Sequence, residues 1–311
     1  MRVGVIGAGL MGTTHVRLLS GEVAGAEVVA ISDAVLPAAE RLAASAGVDI
    51  VYADALQLIA DPAVEGVVVA SPAVTHEAFV LACLDAGKPV LCEKPLAVDA
   101  AACLRVLEAE ATLGRRLIQV GFMRRFDPAY VELKDRMEAI GAPVLAHCAH
   151  RNPTVPPGFD TEMTLTDSLV HDVDAVRWLL GEEFTEVTVI APRATPHAPG
   201  GVLDPLIVLL RTESGLHVDV ECFVNARYGY DIRCEVVGAE AAAALPPDCA
   251  AGFQGRFATA YVRELESWVA GAGAGAGAWD GYAASVVCEA AVESLRSGRP
   301  AAIHLPRHAN V

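Results

Sequence analysis

Through about position 122 the apolar residues fall in short unbroken runs, separated by longer stretches with helical spacing. The runs at 2–6, 28–32, 49–52, 67–70, 90–92 and 117–120 read as strands. Between them, 11–20, 36–46, 55–60, 75–86 and 100–113 read as helices. Unbroken Val/Ile runs belong to strands covered on both faces, and strict alternation of strand and helix builds a parallel sheet. The expectation for residues 1–121 is therefore a Rossmann-type, doubly wound α/β domain. Such sheets bind ligands beyond the carboxyl ends of their strands, so the loops there are where chemistry is sought.

After Phe122 the pattern changes. Longer strands are predicted at 144–151, 186–191, 206–211, 215–224 and 231–238, and in one of them polar His217, Asp219 and Glu221 alternate with apolar Val218, Val220 and Cys222. That period of two marks a half-buried, mostly antiparallel sheet with helices on one face. The helices are predicted at 129–140, 167–180, 257–270 and 281–297. The alternating Gly/Ala run at 271–278 reads as a flexible low-complexity link between the last two. Residues 122–311 are thus expected to form a second, α+β domain with an open sheet.

Composition narrows the function classes. Lys plus Arg number 23 and Asp plus Glu 39, a formal charge of −16 over 311 residues. A uniformly acidic chain lacks the basic face that nucleic acid or anionic lipid requires, so neither is expected as a partner. The eight cysteines form no CxxC pair, which fits reduced thiols packed as small hydrophobes better than zinc sites or disulfides. The N-terminus runs directly into a strand and a Gly turn, unlike a signal peptide, and no apolar stretch approaches a membrane span. A soluble cytoplasmic protein is expected.

Four motifs carry candidate chemistry. Gly7-Ala8-Gly9-Leu10-Met11-Gly12 joins the first strand to the first helix. Its glycines allow the tight turn, the approach of a pyrophosphate and close helix packing, while the free N–H groups of the helix start attract phosphate. Asp33 ends the second strand roughly twenty residues on, where a carboxylate accepts hydrogen bonds from ribose hydroxyls and repels a 2′-phosphate, so NAD is favoured over NADP. Gly7, Gly9, Leu10, Met11, Gly12 and Asp33 are the cofactor candidates here; the plain alternative is a structural Gly turn with a solvated Asp. Ser71-Pro72-Ala73-Val74-Thr75-His76 follows the fourth strand, placing Ser71, Pro72 and His76 toward the nicotinamide half; taken alone it is only strand, proline and helix cap. Glu93-Lys94-Pro95 follows the fifth strand, where the Lys94 ammonium can bind a substrate oxygen and stabilise a developing alkoxide, against the plain reading of a surface Glu–Lys pair. Finally, Asp167, His171 and Asp174 fall at i, i+4 and i+7 of a helix and are expected to converge, setting an imidazole between carboxylates for acid–base work. A metal site, or a capping Asp with a satisfied His, are the competing readings. His147 and His150 lie three apart on a strand and face opposite sides, while Asn152 shares the face of His150.

Together these residues resemble the glucose-fructose oxidoreductase, inositol dehydrogenase and rhizopine-catabolism (Gfo/Idh/MocA) family of NAD(P)-dependent sugar and polyol dehydrogenases, over nearly the whole chain. The resemblance rests on Gly7–Gly12, Ser71-Pro72 with His76, Glu93-Lys94-Pro95, Asp167 with His171, and Arg233-Cys234-Glu235-Val236-Val237-Gly238. The stretches Gly121–Asp127, His150-Arg151-Asn152-Pro153, Tyr228-Gly229-Tyr230-Asp231 and Trp279-Asp280-Gly281-Tyr282 look like the inositol 2-dehydrogenase branch. The resemblance implies that His171 removes the proton of a ring hydroxyl as hydride leaves the same carbon, with Asp167 orienting it and Lys94 binding the reacting oxygen. It places Glu93 beside the cofactor, and Met123, Arg124, His150, Asn152, Ser168 and Tyr230 around a polyol, most simply myo-inositol. It also implies a homo-oligomer, a tetramer or dimer, through the second domain's sheet. Kept open beside this reading are a dehydrogenase for an aldose or another inositol isomer, an NAD-sensing regulator without turnover, and a metal-dependent hydrolase or aldolase.

Overall fold

Strand and helix alternate through the first 120 residues in the order that the apolar runs predict. In the computed structural model, which describes residues 1–306, they are β1 (Arg2–Ile6), α1 (Leu10–Gly21), β2 (Glu27–Ser32), α2 (Leu36–Ala46), β3 (Ile50–Tyr52), α3 (Ala55–Ala60), β4 (Gly66–Val69), α4 (His76–Asp85), β5 (Val90–Cys92), α5 (Ala100–Thr112) and β6 (Ile118–Val120). The six strands are all parallel in the order β3-β2-β1-β4-β5-β6. Val3, Val5, Ile31, Val67, Val68, Val90 and Leu91 have no exposed surface, as the unbroken apolar runs require. Local signals start and stop the helices: the Asp54 carboxylate accepts the Leu56 N–H at 2.9 Å ahead of α3, Asp99 accepts the Ala102 N–H at 2.7 Å ahead of α5, and Gly47 ends α2 at φ +69°. The strand order reverses between β1 and β4, the switch point where doubly wound sheets hold ligands.

Two compact units emerge, with a division that differs from the expected cut after residue 121. The first contains Met1–Phe122 and also Tyr261–Tyr282; the second contains Met123–Ala260 and the described residues from Ala283 onward. The returning segment carries the Gly/Ala run, and here the expectation of a flexible link fails. The Val120 N–H donates to the Ala276 carbonyl at 2.9 Å, and the Arg116 guanidinium donates to the carbonyls of Gly273 (2.7 Å) and Gly275. A Cβ on Gly275 would stand 2.5 Å from the Gln119 side chain, so the segment lies against β6 more closely than any other residue permits. Backbone carbonyls gathered by a distant arginine leave no trace in local sequence.

The second unit holds α6 (Pro128–Asp135), β7 (Pro143–Arg151), α7 (Thr161–Met163), α8 (Leu169–Leu180), β8 (Phe184–Ile190), β9 (Leu206–Thr212), β10 (His217–Phe223), β11 (Tyr230–Gly238), β12 (Ala242–Ala244), β13 (Cys249–Ala250) and α9 (Phe253–Arg256). Two further helices, α10 (Ala258–Val269) and α11 (Ala278–Ser297), contain the boundaries between the units, and β14 (Ala301–Ala302) closes the sheet. The sheet runs β12-β11-β7-β10-β9-β8-β14, with β13 also paired to β11; β7 and β10 are parallel and the other pairs antiparallel. Its inner face is apolar, with Ala146, Cys148, Val218, Val220, Cys222, Val208, Ile232 and Cys234 buried, and His150 is the polar exception among them. Helix α8 packs on that face across β7 and β10.

Two helices depart from expectation. The one predicted at 129–140 stops at Asp135 and resumes as a 3₁₀ turn, Glu138–Ile140. The one predicted at 167–180 is α-helical only from Leu169, because Thr164–Ser168 form a π turn. Among the described residues no helix is long and apolar enough to cross a membrane.

Replacing Arg116 by Ala strands the Gly273 and Gly275 carbonyls. The variant should lose about 1–2 kcal/mol of stability in chemical denaturation, and elastase should cut the Gly/Ala segment that it spares in the parent. Equal stability and equal resistance would show that the segment is held by something other than Arg116.

Candidate active site

On the first unit, the loops at the carboxyl ends of β1 to β4 enclose a cleft of about 650 Å³. The cofactor candidates Gly7, Gly9, Asp33, Ser71 and Pro72 line it, and so do Thr75 of the same Ser71–His76 motif and Val35, Ala53, Asp54 and Phe79, which were not singled out. The loop after β3 carries no motif; only the rule that strand ends bear ligands points to it. The glycines differ in what they do. Gly7 sits at φ +103°, and a Cβ there would lie 2.5 Å from the Ala70 carbonyl oxygen; on Gly12 it would lie 1.8 Å from that of Gly7. A Cβ on Gly9 would meet nothing within 4 Å, and the residue is exposed, so it leaves open space at the start of α1. The first turn of α1 has no acidic residue to compete with an anion there. Each oxygen of Asp33 accepts a backbone N–H, from Ala8 and from Val35, both at 2.7 Å, which holds the carboxylate at the cleft wall. An exposed glycine backbone at a helix start and a fixed carboxylate one strand away fit a dinucleotide with a free ribose 2′-hydroxyl. Leu10 and Met11 form the first turn of α1 beside them.

Two residues expected at the cofactor are turned inward. His76 is 1% exposed, with Nδ1 2.7 Å from the Pro95 carbonyl oxygen and Nε2 2.8 Å from that of Ser71, so its ring ties the Ser71-Pro72 loop to the Lys94-Pro95 loop. Glu93 is buried, with Oε1 2.7 Å from Nε2 of buried His15 on α1 and Oε2 accepting the Lys94 N–H at 3.3 Å. Both brace the loop that carries Lys94, whose own side chain is half-buried. Neither imidazoles nor carboxylates announce in sequence whether they face a cleft or a core.

On the second unit the chemistry gathers at the start of α8 and the end of β7. Asp167, in the π turn, and His171, on α8, are both half-buried. The wider turn changes the angular step between them from the α-helical one, and π turns recur at functional sites. The third expected member, Asp174, is fully buried and holds Arg125 through two hydrogen bonds, of 2.6 and 3.0 Å. A helical wheel placed it correctly on α8 without revealing that an arginine already claimed it. His147 points outward to Asp219 while His150 points inward, as the strand period predicts.

The residue that sequence reasoning passed over is Asp172. It is 1% exposed; Oδ1 accepts from Arg124 Nη1 at 2.6 Å and Oδ2 lies 2.7 Å from His150 Nδ1. Burial pushes its carboxyl up, but Arg124 and His150 together pull harder, and the group ends below the usual carboxylate range. Arg124, expected at the polyol, is instead 1% exposed, its guanidinium engaged by Asp172 and set 5.8 and 6.0 Å from the ring centres of Tyr130 and Phe257. An arginine beside Tyr130, Phe126 and Phe122 was open to this reading, since a cation among apolar residues needs a buried partner. The His150 ring stands 6.4 Å from that of His171 and 6.0 Å edge-on from that of Tyr230, whose phenol burial pushes up to about 12. Met123 and Ser168 are buried close by in sequence to this group, and Asn152 is half-buried, its backbone tied to Phe223 and Ala226. Among the described residues no three His, Cys, Asp or Glu side chains are arranged to hold a metal ion.

Comparison with known proteins adds independent support. Residues 1–122 match the oxidoreductase family described by its NAD-binding Rossmann fold, and residues 130–244 match the GFO/IDH/MocA C-terminal domain. The chain is 48% identical to inositol 2-dehydrogenase 1 of Saccharopolyspora erythraea, covering 98% of this chain and 97% of the relative, and 46% identical to inositol 2-dehydrogenase of Mycolicibacterium gilvum, covering 98% and 94%. Among solved structures it resembles myo-inositol dehydrogenase from Lactobacillus casei in complex with NAD(H) and myo-inositol, with a TM-score of 0.96, 34% identity and coverage of 100% and 98%. A parallel sheet with an open glycine loop, a mixed sheet behind an Asp/His helix, and these matches lead to one conclusion: the chain belongs to the GFO/IDH/MocA family of NAD-binding oxidoreductases.

Proposed function

We propose that the protein is an NAD-dependent dehydrogenase that oxidises a secondary ring hydroxyl of a cyclitol, with myo-inositol to its 2-ketone as the reaction. The observation that carries this reading is the combination, in a chain 48% identical over 98% of its length to an inositol 2-dehydrogenase, of a cleft with Asp33 fixed at its wall and a cluster of polar side chains around His171. NAD, when bound, supplies the acceptor for the hydride. Gly7, Gly9, Leu10, Met11 and Gly12 hold its pyrophosphate through the start of α1, Asp33 its adenosine ribose, and Ser71 and Pro72 its nicotinamide half, with His76 and Glu93 bracing the loops. His171 takes the hydroxyl proton through an imidazole nitrogen, and Asp167 favours and orients the imidazolium so formed. The Lys94 ammonium donates to the reacting oxygen and steadies the charge it gains. His150, Asn152 and Tyr230 meet the remaining hydroxyls, while Met123, Arg124 and Ser168 support them from behind.

The assembly and compartment belong to the same reading. The outer face of the eight-stranded sheet carries the pairs His147–Asp219 and Arg151–Glu221 with exposed Ile190 and Leu209, a surface suited to a second copy of the chain in a dimer or tetramer. All eight cysteines are free thiols, seven of them buried, which suits the cytoplasm.

A panel of inositol isomers and aldoses, each offered with NAD and followed by NADH absorbance, tests the substrate class. Turnover should be highest with a cyclitol; turnover with aldoses alone, or with nothing, would replace this reading by a sugar dehydrogenase or a cofactor-binding regulator. Lys94→Ala and His171→Ala should each lower kcat by at least about 10² with NAD binding kept; near-parental turnover removes the residue from the mechanism. Asp33→Ser should weaken NAD binding and narrow the preference over NADP, since the Ala8 and Val35 N–H groups lose their acceptor along with the ribose; unchanged selectivity would show that another group reads the ribose. Light scattering should give a solution mass of two or four times 32.4 kDa, and a single-chain mass overturns the proposed assembly.

A further inference from the structure

We infer that Asp172 is a positioning residue that fixes the tautomer of His150, so that the imidazole offers Nε2 to the substrate as a hydrogen-bond acceptor. The inference rests on the polyol reading above and deepens it, because it says which kind of contact one hydroxyl meets.

The argument begins with what each partner can do. An ionised carboxylate only accepts, and a guanidinium only donates. His150 Nδ1 lies 2.7 Å from Asp172 Oδ2 and 3.1 Å from Arg124 Nη2. If Nδ1 carried no proton, its lone pair would face those of Oδ2 at 2.7 Å, in a place where His150 is 3% and Asp172 1% exposed and water cannot relieve the repulsion. With the proton on Nδ1, the short contact becomes a charge-assisted hydrogen bond, and the longer one is two donors leaning on the same carboxylate. Arg124 is essential to this choice. Its 2.6 Å contact with Oδ1 keeps Asp172 ionised in a buried place, and an ionised Asp172 keeps the proton on Nδ1. The buried guanidinium beside the ring opposes a second proton on it, since two cations would then share one carboxylate.

A neutral imidazole with its proton on Nδ1 has a lone pair on Nε2. Ammonium and guanidinium groups satisfy hydroxyl lone pairs but leave hydroxyl protons unmet, whereas Nε2 takes one such proton. A ketone or a methylene at the same carbon has no proton to give. The His150 subsite is thus a reader of one non-reacting hydroxyl, and a site built for a hydroxyl rejects the analogue lacking it far more strongly than a merely apolar one does.

Histidine-selective ¹⁵N labelling of the full chain, with His150 assigned through His150→Gln, reads the tautomer directly. The parent should show the proton on Nδ1; a proton on Nε2 overturns the inference. In Asp172→Asn the amide can donate to Nδ1, and the ring should shift toward the Nε2–H form. With monodeoxy-inositols as alternative substrates, the parent should discriminate by at least about tenfold against one of them. The Asn variant should lose that discrimination and raise KM for the parent cyclitol by about tenfold, with KM for NAD unchanged. A variant that is only less heat-stable, with the same discrimination, marks Asp172 as structural alone and overturns the inference. Should the variant not fold, the parent's tautomer still decides. A parent that oxidises no cyclitol defeats the proposed function, and the tautomer then stands as a separate result.

Discussion

Two charges buried against each other set the terms for the second unit. Arg124 and Asp172 are each 1% exposed, and taking such ions out of water costs several kcal/mol apiece, which is recovered only while they remain together. Losing either one costs about 3–5 kcal/mol, because the other is left buried and unpaired. The neighbouring pair repeats the arrangement: Arg125 grips Asp174 two residues further along α8. The short turn Met123–Phe126 is therefore locked to α8 at two points, and through Asp172 the lock reaches β7 at His150. Of the side chains assigned to the polyol, Arg124 and His150 are held directly by this set of buried charges.

Charge is managed differently in the first unit. The chain is acidic overall, and several arginines of this unit are already committed: Arg2 to Glu65, Arg17 to Glu22 and Arg105 to Glu77. The residues lining the cleft include no cation, and the start of α1 offers an anion its oriented backbone N–H groups instead. Asp33 accepts the Ala8 N–H, so in the proposed reading the carboxylate assigned to the ribose also shapes the loop assigned to the phosphates. That reading couples selectivity and affinity for the cofactor through one side chain.

Much of this was legible in the residues before any coordinates. The parallel sheet followed from Val/Ile runs, the glycine turn from its place between strand and helix, and the opposite facing of His147 and His150 from the strand period. What escaped shares a physical cause. Asp174 lies on the predicted helix, but its partner Arg125 is 49 residues away. Asp172 was invisible as a hub because an acid on a helix looks solvated until an arginine is found beside it. His76 and Glu93 sit in motifs that point to a cofactor, yet the orientation of each depends on a carbonyl or an imidazole far along the chain. Local patterns report period and turn; they do not report which distant atom completes a pair.

The Gly/Ala segment beside β6 is uniform in composition but not in what its positions ask for. Gly271 and Gly273 stand at φ +65°, a backbone that glycine adopts freely, while Gly275 has no room for a methyl group beside Gln119. Ala276 carries a bridge to Val120. Alanine at 271 or 273 would meet backbone strain and alanine at 275 a clash, so a tract whose residues look interchangeable in sequence tolerates substitution unevenly.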